Sequence, residues 1–290
     1  MLAYNTRIVL IGVCLLGAAA GLVGTFALLR RRALVGDALA HAALPGVCVA
    51  FLLVGRWLPG LLMGALVSGL LGVGVIAFLR RYTRVKEDAA IGIVLSVFFG
   101  MGIVLSGIIQ RTVKDGSKAG LDSYIFGKTV GMVLADVQWI ALVAALALAA
   151  ILLVYKEAKL LVFDSDFARV QGLPVAWLDF LLMALLAVVV VIGLPAVGVV
   201  MMAALLILPG SAARFWSDRF GVVLTLATVF GAAIGVVGVL LSDRFERLPT
   251  GPIIVLAGTA LFLFSMFCAP RRGLIARWLQ SRHRVLEAPT

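Results

Sequence analysis

The sequence predicts an all-α, polytopic transmembrane helical bundle of about eight or nine crossings. Three observations carry the prediction. Apolar residues make up 63% of the 290 and charged residues 13%, with a mean hydropathy of +1.16, whereas soluble domains carry about 25% charged residues. The apolar residues fall into successive runs of about 20, the length a helix needs to cross the hydrocarbon layer. No alternating pattern of about ten residues, the mark of a membrane barrel, accompanies them.

In chain order, the runs cover residues 6–29, 36–54, 57–80, 88–110, 133–155, 174–193, 196–213, 219–241 and 250–269. The first resembles a secretion signal, but its basic cluster, Arg30 to Arg32, follows the apolar run. It is expected to be a retained crossing with its N-terminus outside. The second holds the segment GDALAHAALPG (36–46), in which Pro45 promises a kink. In the third and eighth, and again in the first, glycines recur four residues apart (17–21, 60–64, 231–235), a spacing that lets helix backbones approach closely in lipid. Between the fourth and fifth runs lies a polar loop (111–132). Between the fifth and sixth lies a second loop (156–173) with a short amphipathic helix, which Asp164 or Ser165 can cap and Gly172-Leu173-Pro174 ends. Leu194-Pro195 divides the sixth run from the seventh, and a re-entrant piece there would lower the count. Residues 1–270 are thus read as one transmembrane domain and 271–290 as a basic cytoplasmic tail.

A formal charge of +11 suggests nucleic acid at first sight, but the basic residues sit in short clusters between apolar runs. With the N-terminus outside, they divide about two to one in favour of the cytoplasm, as the positive-inside rule requires. They serve topology, and nucleic acid is excluded as a partner. Cys14, Cys48 and Cys268 lie in apolar runs without ligand spacing and are read as packing residues. The segment FGKT (126–129) ends like a phosphate-binding loop, yet Asp122 stands where the first glycine belongs. Neither a zinc-protease helix nor a nucleophile elbow occurs, so the chain is not expected to be an enzyme.

Asp37 and His41 remain. Four residues apart on a helix, they share one face about 6 Å apart, and a charged aspartate at membrane depth costs roughly 2.5 kcal/mol or more. Carboxylate and imidazole are ligands that suit manganese, zinc and iron. Against this stands the plain alternative, in which Asp37 pairs with a nearby arginine and His41 is a hydrogen-bonded core residue.

LRRRALVGDALAHAALPG (29–46) resembles the signature of the permease subunits of bacterial ABC importers for manganese, zinc or iron, the ABC-3 metal permeases. The likeness continues through EDAAIGIVLSVFFGMGIVL (87–105), YIFGK (124–128), FDSDFARVQGLPV (163–175), AVGVVMMAALLILPGSAAR (196–214) and LPTGPIIVL (248–256). Ala40, where the family often has serine, and Pro252 depart from it. The resemblance implies that Asp37 and His41 are metal ligands or gate residues. It implies that ATP is hydrolysed by two separate cytoplasmic ABC ATPase subunits, which dock on a coupling helix at about 163–173 with Phe163, Asp164, Phe167, Ala168, Arg169 and Gly172. It further implies a second permease subunit (a copy or a relative) and an extracytoplasmic solute-binding protein. The expected location is the bacterial inner membrane, and the expected cargo a divalent manganese, zinc or iron ion, with no covalently bound cofactor. The alternative is a proton-coupled secondary transporter with Asp37 and His41 as its relay. Because zinc takes about four ligands and manganese more, the pair is expected to face a two-fold axis and meet its counterpart there.

Overall fold

Eleven α-helices follow one another in the computed structural model, which describes residues 4–112, 127–245, 249–270 and 272–275. They are α1 (Tyr4–Leu29), α2 (Ala33–Val54), α3 (Leu58–Tyr82), α4 (Glu87–Thr112), α5 (Leu134–Leu153), α6 (Tyr155–Phe163), α7 (Ser165–Val170), α8 (Val175–Val197), α9 (Val199–Trp216), α10 (Phe220–Arg244) and α11 (Thr250–Cys268). Nine are long and apolar enough to cross a membrane, and the described residues contain no strand. The ends lie within a few residues of those expected, because each apolar run stops at a charged or turn-forming cluster. Most of the polar loop at 111–132 and nearly all of the tail lie outside the described residues.

Helices α1, α2 and α8 form the interior, whereas α4, α5 and α11 are mostly exposed. Lipid supplies no hydrophobic drive between helices, so close backbone approach must hold them. A methyl group on Gly17 would lie 2.2 Å from the Gly231 carbonyl oxygen, and one on Gly231 would lie 2.0 Å from that of Gly17. α1 and α10 therefore touch main chain to main chain at the spacing the sequence shows. In the third run only Gly64 plays this part, against Gly46 of α2; Gly60 instead meets Val54 and Trp57 in its own turn.

Two expectations need correction. The break near Pro195 falls at Gly198, whose φ of 80° ends α8. Proline stays in the last turn, where it removes a single helical bond, while the left-handed backbone requires glycine. Both flanking helices are long enough to cross. The backbone N–H of Lys128 donates to the Pro195 carbonyl at 3.1 Å, and the Thr129 hydroxyl donates to that of Ala196 at 3.1 Å; open carbonyls of the last turn are thereby satisfied. The second correction concerns 156–173, which forms two short helices. Val154, with φ −102° and ψ 20°, breaks the chain after α5 without glycine or proline.

Candidate metal site

Helix α2 carries Asp37 and His41, and it runs unbroken through Pro45. Proline brings no N–H, so the carbonyl of His41, four residues earlier, lacks its helical bond. Neighbouring helices hold this weakened stretch. The Ser68 hydroxyl of α3 donates to the Ala42 carbonyl at 2.7 Å. Gly46 and Gly64 allow α2 and α3 to meet at their backbones. On the other side, the Cys48 thiol donates to the Gly102 carbonyl of α4 at 3.6 Å. Cys48 is therefore a packing residue, as expected, and it also ties two helices together.

His41 Nε2 lies 3.6 Å from Asp37 Oδ1, with side chains 19% and 28% exposed respectively. At that distance the pair is adjacent without being hydrogen-bonded. The ring of Phe99 on α4 meets the imidazole edge-on, with centroids 4.7 Å apart and planes at 83°, and so fixes its orientation. His41 Nδ1 is buried without a hydrogen-bond partner among the described residues, whereas the plain alternative calls for a hydrogen-bonded imidazole. Phe99, Ser68 and Cys48 were not legible as site residues, since an aromatic, a serine or a cysteine in an apolar run carries no mark of its own.

The arginines bear on the other half of that alternative. Arg30 and Arg32 both pair with Asp179 of α8, Arg32 at 2.9 Å; Arg32 Nε also pairs with Glu87 of α4 at 3.0 Å, and Arg80 meets Glu87 at 3.3 Å. Burial lowers the pKa of the Arg30 guanidinium below its ordinary value, and Asp179 opposes that shift. None of these arginines engages Asp37, whose charge neighbour is His41.

No group of three or more His, Cys, Asp or Glu that could hold a metal ion occurs among the described residues. Among the described residues, the site thus offers one carboxylate and one imidazole. With side chains 19% and 28% exposed, His41 and Asp37 are left partly uncovered by this chain.

The second predicted site lies at α6 and α7. Asp164 caps α7, accepting from the N–H groups of Asp166 (3.1 Å) and Phe167 (2.9 Å), and Gly172 closes it with φ 79°. Phe167 is 48% exposed and Val170 85%, Arg169 pairs with Asp166 at the surface, and Ala168 is buried against the bundle. Phe163 is the last residue of α6 and not part of the short helix, as the sequence had suggested. Its ring meets Phe220 of α10 at 6.0 Å.

Residues 3–269 match the family described as the ABC 3 transport family. The chain belongs to that family. As an ABC 3 protein it is 48% identical over 274 residues to the manganese transport system membrane protein MntC of Bacillus subtilis (strain 168), covering 94% of this chain and 63% of that protein. It therefore spans a little under two thirds of that relative's length. It is 42% identical over 286 residues to the zinc transport system membrane protein TroC of Treponema pallidum (strain Nichols), covering 98% of this chain and 96% of that one. Its structure superposes on PsaBC from Streptococcus pneumoniae in complex with Fab with a TM-score of 0.83 and 32% identity, over 97% of this chain and 96% of that chain. This ABC 3 chain is a multi-pass membrane protein of the bacterial inner membrane.

Proposed function

We propose that this chain is the permease subunit of an importer that moves a divalent transition metal ion, manganese, zinc or iron, into the cytoplasm. The observation that carries the reading is the state of Asp37 and His41. They sit side by side on a partly uncovered stretch of an interior helix, while Arg30 and Arg32 are both engaged by Asp179. A carboxylate so placed calls for a cation. Two copies of the chain, or a copy and a relative, related by a two-fold axis would supply two carboxylates and two imidazoles. That set meets the requirement of zinc outright and most of that of manganese, and one divalent ion offsets two aspartates that would otherwise repel.

ATP hydrolysis belongs to separate cytoplasmic ATPase subunits, two per assembly, and the ion arrives from an extracytoplasmic binding protein. The exposed ridge of Phe167 and Val170, beside Arg169, is the ATPase contact, with Phe163, Asp164, Ala168 and Gly172 shaping it. Membership of an ABC family supports this reading over a proton-coupled carrier.

Metal uptake by Asp37→Asn, His41→Ala and the double variant tests the site, with membrane levels checked. Each single change is expected to abolish most uptake, and the double to be little worse, because the ligands act as one unit. Near-normal uptake by both single variants would refute it.

A further inference from the structure

The sequence accounts for Arg30, Arg32 and Arg80 as topology signals and leaves Asp179 unexplained inside an apolar run. The structure brings them together with Glu87. Five charged side chains from the α1–α2 turn, the end of α3, the start of α4 and the second turn of α8 form one partly buried network. The turn that presents the arginines is itself unusual. Arg31 occupies the left-handed region at φ 60°. Arg32 N–H donates to the Ala27 carbonyl and Arg31 N–H to that of Leu28. This is a Schellman closure in which glycine is the usual central residue. The strained turn places Arg30 and Arg32 on either side of Arg31 with both guanidinium groups on one carboxylate, Asp179.

What the network joins gives it a role. On one side, α7 connects to α8 through a continuous set of main-chain bonds: Gly172 N–H to the Arg169 carbonyl, Leu173 N–H to that of Ala168, Val175 N–H to that of Leu173, and Leu178 N–H to that of Pro174. A push on the exposed ridge of α7 is therefore carried into the first turns of α8, where Asp179 stands. On the other side, Arg32 starts α2, its carbonyl accepting from Val35 N–H, and Asp37 follows five residues later. Arg32 also holds Glu87 at the start of α4, the helix whose Phe99 orients His41. Both walls of the ligand pair thus begin at one guanidinium group.

We propose that Asp179, through Arg30 and Arg32, is the positioning residue that transmits movement of the 163–173 segment to the helix bearing Asp37 and His41, and so sets coupling rather than metal affinity. The proposal rests on the functional reading above.

The test uses the assembled transporter, permease with its ATPase subunits and binding protein, in proteoliposomes with manganese and with zinc. Metal imported per ATP hydrolysed is measured alongside equilibrium metal binding and co-purification of the ATPase. Asp179→Asn is expected to assemble, to bind metal within about twofold of wild type, and to import about tenfold less metal per ATP. Asp179→Glu, which restores the charge, is expected to recover at least about half of the coupling. The proposal is overturned if Asp179→Asn keeps wild-type coupling, if it loses metal binding in step with transport, or if Asp179→Glu recovers nothing. Should Asp179→Asn not assemble, Arg30→Gln and Arg32→Gln, each of which leaves Asp179 one guanidinium partner, are judged by the same criteria. Asp37→Asn in the same preparation separates the two readings: unaltered metal binding in that variant refutes the metal site, whereas its loss together with wild-type coupling in Asp179→Asn refutes only the joint.

Discussion

Gly46→Ala tests how the ligand helix is held. A methyl group at this position would lie 2.1 Å from the Gly64 carbonyl oxygen and 2.4 Å from Ser68 Cβ. Carbon and oxygen tolerate roughly 3.3 Å, so α2 and α3 must part by about 1 Å, because a main-chain oxygen cannot turn aside. Overpacking of this kind costs about 1–3 kcal/mol, and alanine returns about 0.5–1 kcal/mol over glycine within a helix. The net expectation is a loss of up to about 2.5 kcal/mol, a fall of several degrees in thermal midpoint. His41 lies five residues away, about 7.5 Å along α2. Sites need placement within about 0.5 Å, so metal affinity should fall by about tenfold or more. Gly74→Ala on α3 is the control: nothing lies within 4 Å of its added methyl, and it should be neutral or slightly stabilising. The assays are the thermal midpoint of the purified protein and equilibrium metal binding. If Gly46→Ala matches Gly74→Ala in both, the close approach does not hold α2 in place.

Three further outcomes are expected. Phe167→Ala combined with Arg169→Glu should abolish ATPase co-purification and uptake while leaving membrane levels unchanged, since both side chains are exposed; wild-type association and uptake would contradict the contact. Asp164→Ala removes the cap of a six-residue helix, worth about 1 kcal/mol, and amide exchange at 165–170 should quicken accordingly; unchanged exchange would show that packing of Ala168 alone keeps α7 formed. In a Cys268→Ser background, a cysteine at Lys128 should react with an impermeant thiol reagent from outside and one at Lys159 only after permeabilisation, with the reverse pattern overturning the orientation read from the basic residues.

The order of the crossings was legible because each apolar run is long and each boundary is marked by arginines, prolines or glycines. The joint at Val154 was not, since no turn residue marks it and Tyr155 to Phe163 reads as a polar continuation. At the α8–α9 break the sequence offered Pro195 and Gly198 three residues apart, and proline is the louder signal. A proline in a last turn is tolerated, whereas a φ of 80° is not open to most residues. Within the site, Asp37 and His41 stood out as a carboxylate and an imidazole in apolar surroundings. Their supporting residues did not, because Phe99, Ser68 and Cys48 acquire meaning only from which helices become neighbours. The same holds for Asp179: its isolation in an apolar run was visible, but its partners lie about 150 residues earlier in the chain and are chosen by packing.

Why Asp37 is left without an arginine follows from helix geometry, and the reason makes a prediction of opposite sign from the one a structural carboxylate would give. Successive residues turn about 100°, so Arg32, five positions before Asp37, would point well away from it even if α2 began earlier. Positions three or four residues from Asp37 are Ala33, Leu34, Ala40 and His41, and only the last is polar. Asp37 therefore gains no ion pair with a guanidinium group, and its burial is a net cost to the metal-free fold. Replacing it by asparagine should leave the metal-free thermal midpoint unchanged or raised. Asp179→Asn strips two arginines of their partner and should lower it, as breaking an interior ion pair does. Saturating metal should raise the midpoint of wild type, by about 2.7 kcal/mol of stability at a concentration of about 100 times Kd, and should do nothing for Asp37→Asn. A metal-free Asp37→Asn protein that melts well below wild type would show that the carboxylate holds the fold together, and its assignment as a ligand would fall.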